Sequence, residues 1–191
     1  EVDVFTRLTG ADDARELDIA PGARLVRLPA GVAAPVDKNL VFQHLPEFIA
    51  GVERYRHARG REYEVVHSHY WLSAWAGQRL AWRWGVPHVT MFHTLGEVKN
   101  RCGAPGRESD LRLDVERRAV AEANRIIAAS EDELRHLTQL YGADPARVSI
   151  VPCGVNARLF RPQPRREARA GLNLGEQPTA LFVGRMDPLK G

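Results

Sequence analysis

The stretch that most constrains this chain runs from Val65 to Asn100, VVHSHYWLSAWAGQRLAWRWGVPHVTMFHTLGEVKN, because its plan is strand, helix, strand. Val65-Val66 lead into His67-Ser68-His69-Tyr70 as a strand. A Trp-rich amphipathic segment follows to Trp84, and Gly85 and Pro87 break it. His88 to Phe92 reads as a second strand that opens into His93-Thr94. Ligands of open parallel sheets sit outside the carboxyl ends of the strands. Both strands here end in hydrogen-bonding residues, His69-Tyr70 and His93-Thr94, so this unit is expected to form one wall of a ligand cleft.

The same alternation runs through the rest of the chain. Val2–Phe5 and Ala23–Leu28 read as strands, with a polar loop from Thr6 to Gly22 between them. Pro29 to Asn39 is a loop carrying one lysine, Lys38. Leu45, Phe48, Ile49 and Val52 follow the i, i+3, i+4, i+7 stripe of an amphipathic helix that ends at Gly60. Gly96 to Gly106 is expected as a loop. A helix from about Ser109 to Ala123 is expected to bury Leu111, Val115, Ala119 and Ala123. Arg125–Ala129 is a strand. Ser130 and Glu133 then form a capping box for a helix that carries Leu134, Leu137 and Tyr141 inward and stops at Gly142. Val148–Pro152 is a further strand. A proline-marked linker with a basic helical patch, Arg165 to Gly171, leads to a last strand, Thr179–Val183. Strands alternating with helices place the chain in the α/β class, with a parallel sheet and helices on both faces. The expected division is a first domain over 1–157, a linker over 158–178 and the start of a second domain over 179–191.

Composition closes off several function classes. Hydrophobic residues make up 44% and charged residues 27% of 191 positions, an ordinary balance for a folded chain. The net charge of +3 is spread out, which disfavours a nucleic-acid surface. No apolar run approaches the roughly 18 residues of a membrane span, which leaves only a peripheral membrane contact open. Cys102 and Cys153 stand in unrelated contexts, as free thiols in a reducing, cytoplasmic setting would. The chain opens without Met, directly in a strand, and reads as a piece of a longer protein.

Few residues point to chemistry. His67 and His69 share a face of a strand, but a His-x-His pair without a third ligand is weak evidence for a metal; the expectation is one packed histidine and one at the cleft edge. His93, at a strand end beside Thr94, suits contact with a ligand oxygen or acid–base work. Lys38 and Arg112 are lone cations that would matter only if they converge on one anion. In Val183-Gly184-Arg185-Met186-Asp187-Pro188-Leu189-Lys190-Gly191, a strand ends in glycine with two cations five residues apart, a pattern able to clamp a diphosphate. The nucleophile elbow, the P-loop and the dinucleotide fingerprint are absent from the sequence.

Taken together, HSHYWLS, FHTLGEVKN, the ERRAVAEANRIIAASE unit, YGADPARVSIVPCGVNARLFRP and FVGRMDPLKG resemble the retaining GT-B glycosyltransferases of glycosyltransferase family 4. The resemblance covers nearly the whole chain. It implies two Rossmann-like domains facing a cleft, of which this chain carries the N-terminal one without its first strand. It implies no metal and no cofactor, with a nucleotide diphosphate sugar, UDP-linked, as donor substrate. Gly184, Arg185 and Lys190 match the donor motif, with Arg185 and Lys190 neutralising the leaving diphosphate. His93 matches the histidine that contacts the donor sugar near the reacting carbon. Lys38, Tyr70, Thr94 and Arg112 match positions that hold the acceptor's phosphate in members acting on inositol phosphate.

The expected activity is hexosyl or N-acetylhexosaminyl transfer with retention to a small phosphorylated polyol or sugar. The chain alone is expected to be inactive, because the glycine-rich first loop and the paired-glutamate motif of the second domain are missing. Two alternatives stand beside this reading. One is transfer to a lipid or polysaccharide; the other is a non-catalytic Rossmann-like module that binds a metabolite or a partner.

Overall fold

The computed structural model describes residues 1–11, 13–102, 106–184 and 186, and only the backbone of residues 38 and 39. Two small sheets carry the chain. The first holds β1 (Val2–Arg7), β2 (Glu16–Ala20) and β3 (Ala23–Leu28) in the order β1-β3-β2, with β1 parallel and β2 antiparallel to β3. The second holds β4 (Val66–His69), β5 (His88–Met91), β6 (Arg125–Ala128) and β7 (Val148–Ile150), all parallel and in sequence order. All four strands of this second sheet therefore end along one edge.

The helices are α1 (Lys38–Val41), α2 (Leu45–Ala58), α3 (Tyr70–Trp84), α4 (Gly96–Arg101), α5 (Asp110–Glu122), α6 (Glu131–Tyr141) and α7 (Arg165–Gly171). This is the α/β architecture of a Rossmann-like parallel sheet flanked by helices. Helix α3 is the shared post of two cores. Its Ala76 and Leu80 pack with Val26 and Leu28 of β3 and with Ile49, Val52 and Tyr55 of α2. Its Ala74 packs instead with Phe92, with Ala119 and Val120 of α5, with Ile126 and Ala128 of β6 and with Leu137 of α6. Small residues let α3 lie close to the sheet. A Cβ added at Gly77 would stand 3.0 Å from the Cβ of Ser68 and 3.1 Å from Nε2 of His88.

The helix ends follow local chemistry. Ser130 Oγ accepts from the Glu133 N–H at 3.2 Å, and a Glu133 carboxylate oxygen accepts from the Ala129 N–H at 2.7 Å, so the box closes one residue further back than its simplest form. Helices α3 and α6 both stop at a left-handed glycine, Gly85 and Gly142.

Four expectations are corrected. The Thr6–Gly22 segment holds the end of β1 and all of β2; every residue of β2 is exposed, so no buried periodicity marked it. What holds β2 is its backbone ladder and ion pairs, Asp18 with Arg24 at 3.1 Å and Glu16 with Arg59 at 2.6 Å. Residues 96–101 form α4 and not a loop, because Gly96 serves close packing there. In α5, Leu111 faces out, while Arg112 and Glu116 join Leu113, Val115, Ala119 and Val120 in the buried stripe. Residues 179–183 form no strand; among the described residues no strand pairs with them, and Leu181 and Val183 are exposed. No helix among the described residues is long and apolar enough to cross a membrane.

Candidate functional site

Strands β4 and β5 run side by side with His69 opposite Met91, so the residues that follow each of them emerge together. Both exits are conformationally unusual. Tyr70 has φ of 77° and His93 has φ of 62°, left-handed values that cost a non-glycine residue roughly 1–2 kcal/mol. Two such residues at neighbouring strand ends mark a place where the surrounding structure holds side chains in directions the chain would not choose freely.

Arg112 explains how the site is held. It sits in the first turn of α5, where the N-cap Ser109 Oγ accepts from its backbone N–H at 3.3 Å, and its side chain is 1% exposed. Nε donates to Glu116 Oε1 at 2.7 Å. Nη1 reaches the Tyr70 hydroxyl at 3.2 Å and Glu108 Oε2 at 3.1 Å. Nη2 donates to the Thr94 carbonyl at 2.9 Å and to Thr94 Oγ1 at 3.3 Å. One guanidinium thus ties together both strand ends and the start of a helix, and its carbon lies 5.1 Å from the centre of the Tyr70 ring.

The carboxylates behind Arg112 are themselves held. Glu116 Oε2 accepts from the Gly96 N–H at 2.9 Å and from the Tyr141 hydroxyl at 2.5 Å. The Tyr141 oxygen accepts in turn from the Glu97 N–H at 2.9 Å. Lys99 Nζ stands 2.5 Å from Glu108 Oε1, and the Glu108 N–H donates to Asn100 Oδ1 at 2.8 Å. Two cations, Arg112 and Lys99, therefore balance two carboxylates, Glu108 and Glu116. Burial works against the Arg112 charge, but Glu116, followed by Tyr70 and Glu108, outweighs it and raises the pKa. Burial, followed by Glu116, also raises the pKa of Tyr141 far above that of an ordinary phenol, so Tyr141 stays a donor.

Histidines line the other flank. His69 Nδ1 and His93 Nε2 are 2.8 Å apart, and their rings stack at 5.1 Å with an 18° tilt. The His67 ring lies 4.3 Å from that of His69. Burial, with neighbouring histidines adding, lowers the pKa of His67 and of His69. The expectation that one of the pair is packed is corrected: both are exposed. The packed histidine is His88, whose Nε2 lies 2.7 Å from Ser68 Oγ and whose pKa burial, followed by His67, lowers to about 4. Among the described residues no three His, Cys, Asp or Glu side chains converge as a metal-binding set.

Of the acceptor residues expected from the sequence, Tyr70, Thr94 and Arg112 come together, with His93 adjoining Thr94 in the chain. Lys38 begins α1, and its side chain lies outside the described residues. The loop before it is anchored by Arg7, which donates to the carbonyls of Val32 and Ala34 at 2.7 Å each. Arg185 and Lys190 of the expected donor motif also lie outside the described residues, and Gly184 is exposed.

Sequence reasoning missed Glu108, Glu116, Tyr141 and Arg7. Glu116 was findable, because it lies four residues after Arg112 on one helix, which sets such residues in line, whereas Glu108 lies before the N-cap Ser109.

Comparison with known proteins shows the family and the fold. The family model described as Glycosyltransferase Family 4 matches residues 1–159. The chain is 43% identical over 194 residues to the D-inositol 3-phosphate glycosyltransferase of Nocardiopsis dassonvillei, covering 99% of this chain and 45% of the relative. It is 43% identical over 195 residues to the enzyme of that name from Rhodococcus erythropolis, covering 100% and 44%. Among solved structures, sucrose-phosphate synthase from Thermosynechococcus elongatus superposes with a TM-score of 0.86 at 32% identity, over 97% of this chain and 46% of that one. The chain thus spans less than half the length of the relatives it matches.

Proposed function

This chain belongs to Glycosyltransferase Family 4, and on that footing we propose that it forms the acceptor side of a retaining glycosyltransferase acting on a small phosphorylated polyol or sugar. The observation that carries this is the convergence of the Tyr70 and Thr94 hydroxyls on Arg112 at two adjacent strand ends. Each hydroxyl accepts from the guanidinium and keeps its own proton, so each can donate to a phosphate oxygen. Arg112, with every nitrogen already partnered, lends its charge through those hydroxyls and is not a free fork. Lys38 supplies a point charge. The names of the relatives, an inositol 3-phosphate glycosyltransferase and a sucrose-phosphate synthase, fit a phosphorylated acceptor or product.

The donor is a nucleotide diphosphate sugar, UDP-linked, and the transferred group is a hexosyl or N-acetylhexosaminyl unit. His93 faces the sugar. Gly184, Arg185 and Lys190 open a second, nucleotide-sugar-binding domain after a linker over 158–178, with the two cations stabilising the departing diphosphate. Neither a metal nor a cofactor is needed for that stabilisation. The chain covers under half the length of its relatives, so the activity proposed is that of the full-length protein. The test is nucleotide diphosphate release by the full-length protein, given one polyol as its phosphate and as the free alcohol. Turnover should require the phosphate; equal turnover with both would favour an acceptor read by its ring or by a lipid or glycan tail.

A further inference from the structure

The hydrogen bond between His69 and His93 links a residue with no assigned part to the one placed at the donor sugar, and this inference rests on the reading above. His69 is the last residue of β4; His93 lies two beyond Met91, its partner across the sheet. The left-handed backbone at His93 sets where its ring can point, and His69 Nδ1 meets His93 Nε2 at 2.8 Å with the rings nearly parallel. Between two neutral imidazoles, only one of the two facing nitrogens carries the proton, so each ring's tautomer dictates the other's.

Two arrangements are open. If His69 Nδ1–H donated, both rings would carry their proton on Nδ1, the form a free imidazole side chain disfavours. If His93 Nε2–H donates, both rings hold their preferred Nε2–H form. We infer that His69 is a positioning residue: its Nδ1 accepts from His93 Nε2–H, fixing the His93 ring and leaving His93 Nδ1 bare as an acceptor for a hydroxyl of the donor sugar. Partial burial and the adjacent His67 and His93 lower the pKa of His69, the direction this arrangement requires. The step involves no covalent change; the sugar hydroxyl keeps its proton and donates it as a hydrogen bond.

The experiment uses the full-length protein with histidine labelled by nitrogen-15. In wild type, His93 should show a protonated Nε2 and a bare Nδ1. In His69→Ala, the His93 nitrogens should average between tautomers. Kinetics give the second readout. His69→Ala should lower kcat about tenfold, the worth of one good hydrogen bond, with the acceptor's KM unchanged. His69→Asn, whose side-chain oxygen can stand where Nδ1 stood, should recover most of the loss. His69→Ala should cost nothing more once His93→Ala is present.

A protonated His93 Nδ1 in wild type would overturn the inference, as would normal kcat in His69→Ala or an equal loss in His69→Asn. Absence of any sugar transfer by wild type would instead remove the functional reading, and this inference with it.

Discussion

Arg112 Nε donates to Glu116 Oε1 at 2.7 Å with both side chains shut off from solvent, and this pair is the strut behind the strand ends. Removing one partner of a buried pair costs up to about 3–5 kcal/mol, and without Glu116 the Arg112 charge would rest on Glu108, 3.1 Å from Nη1. Glu116→Ala also strips the acceptor from the Gly96 N–H and the Tyr141 hydroxyl. Urea denaturation should therefore show a loss of that size, and Arg112→Met added to Glu116→Leu should recover part of what Glu116→Leu loses alone. A loss under about 1 kcal/mol would mean that the pair is solvated in practice.

Acid should weaken the fold through His88. Its pKa lies at about 4 in the folded chain against 6.5 as the ordinary value. Between these values the unfolded chain binds the extra proton, so stability is complete above about pH 6.5 and declines as the pH falls towards 4. The slope is about 1.4 kcal/mol per pH unit at its steepest. Denaturation midpoints at pH 7 and pH 5 should differ in wild type and draw together in His88→Gln, whose amide can still meet Ser68.

The proposed donor motif gives a kinetic test. Arg185→Ala and Lys190→Ala, each in the full-length protein, should cut turnover tenfold to a hundredfold, since a charge-assisted contact is worth about 1.5–3 kcal/mol. Circular dichroism should stay that of wild type. Near-normal kinetics in both variants would remove these cations from the diphosphate.

What could be read from the sequence follows from which forces leave a periodic mark. The β4-α3-β5 unit was legible because burial spaces its apolar residues, and Ser130 with Glu133 was legible because capping has fixed spacing. Strand β2 was not, since exposed residues joined by backbone bonds and ion pairs carry no burial period. Helix α4 was hidden by Gly96, which reads as a breaker but admits Leu113 and Glu116 to close packing. The buried face of α5 was misjudged by one residue because Arg112 and Glu116 look like surface residues until each is seen to be the other's partner. Residues 179–183 have the composition of a strand, but a strand also needs a neighbour to take its hydrogen bonds. At the site, Tyr70 and Thr94 were legible as strand ends, and their grouping with Arg112 around one phosphate came from resemblance. Their convergence rests on two left-handed residues and an ion pair that no short motif encodes.

The most direct test is calorimetric titration of the full-length protein with a cyclic polyol monophosphate and with the free polyol, in wild type, Lys38→Ala, Tyr70→Phe and Thr94→Val. Wild type should prefer the phosphate. Each variant should lose about tenfold or more in affinity for the phosphate, at about 1.5 kcal/mol for a contact to a charged group, while its binding of the free polyol is unchanged. Equal binding of the two ligands by wild type, or a preference that all three variants keep, would contradict a phosphate site built on these strand ends.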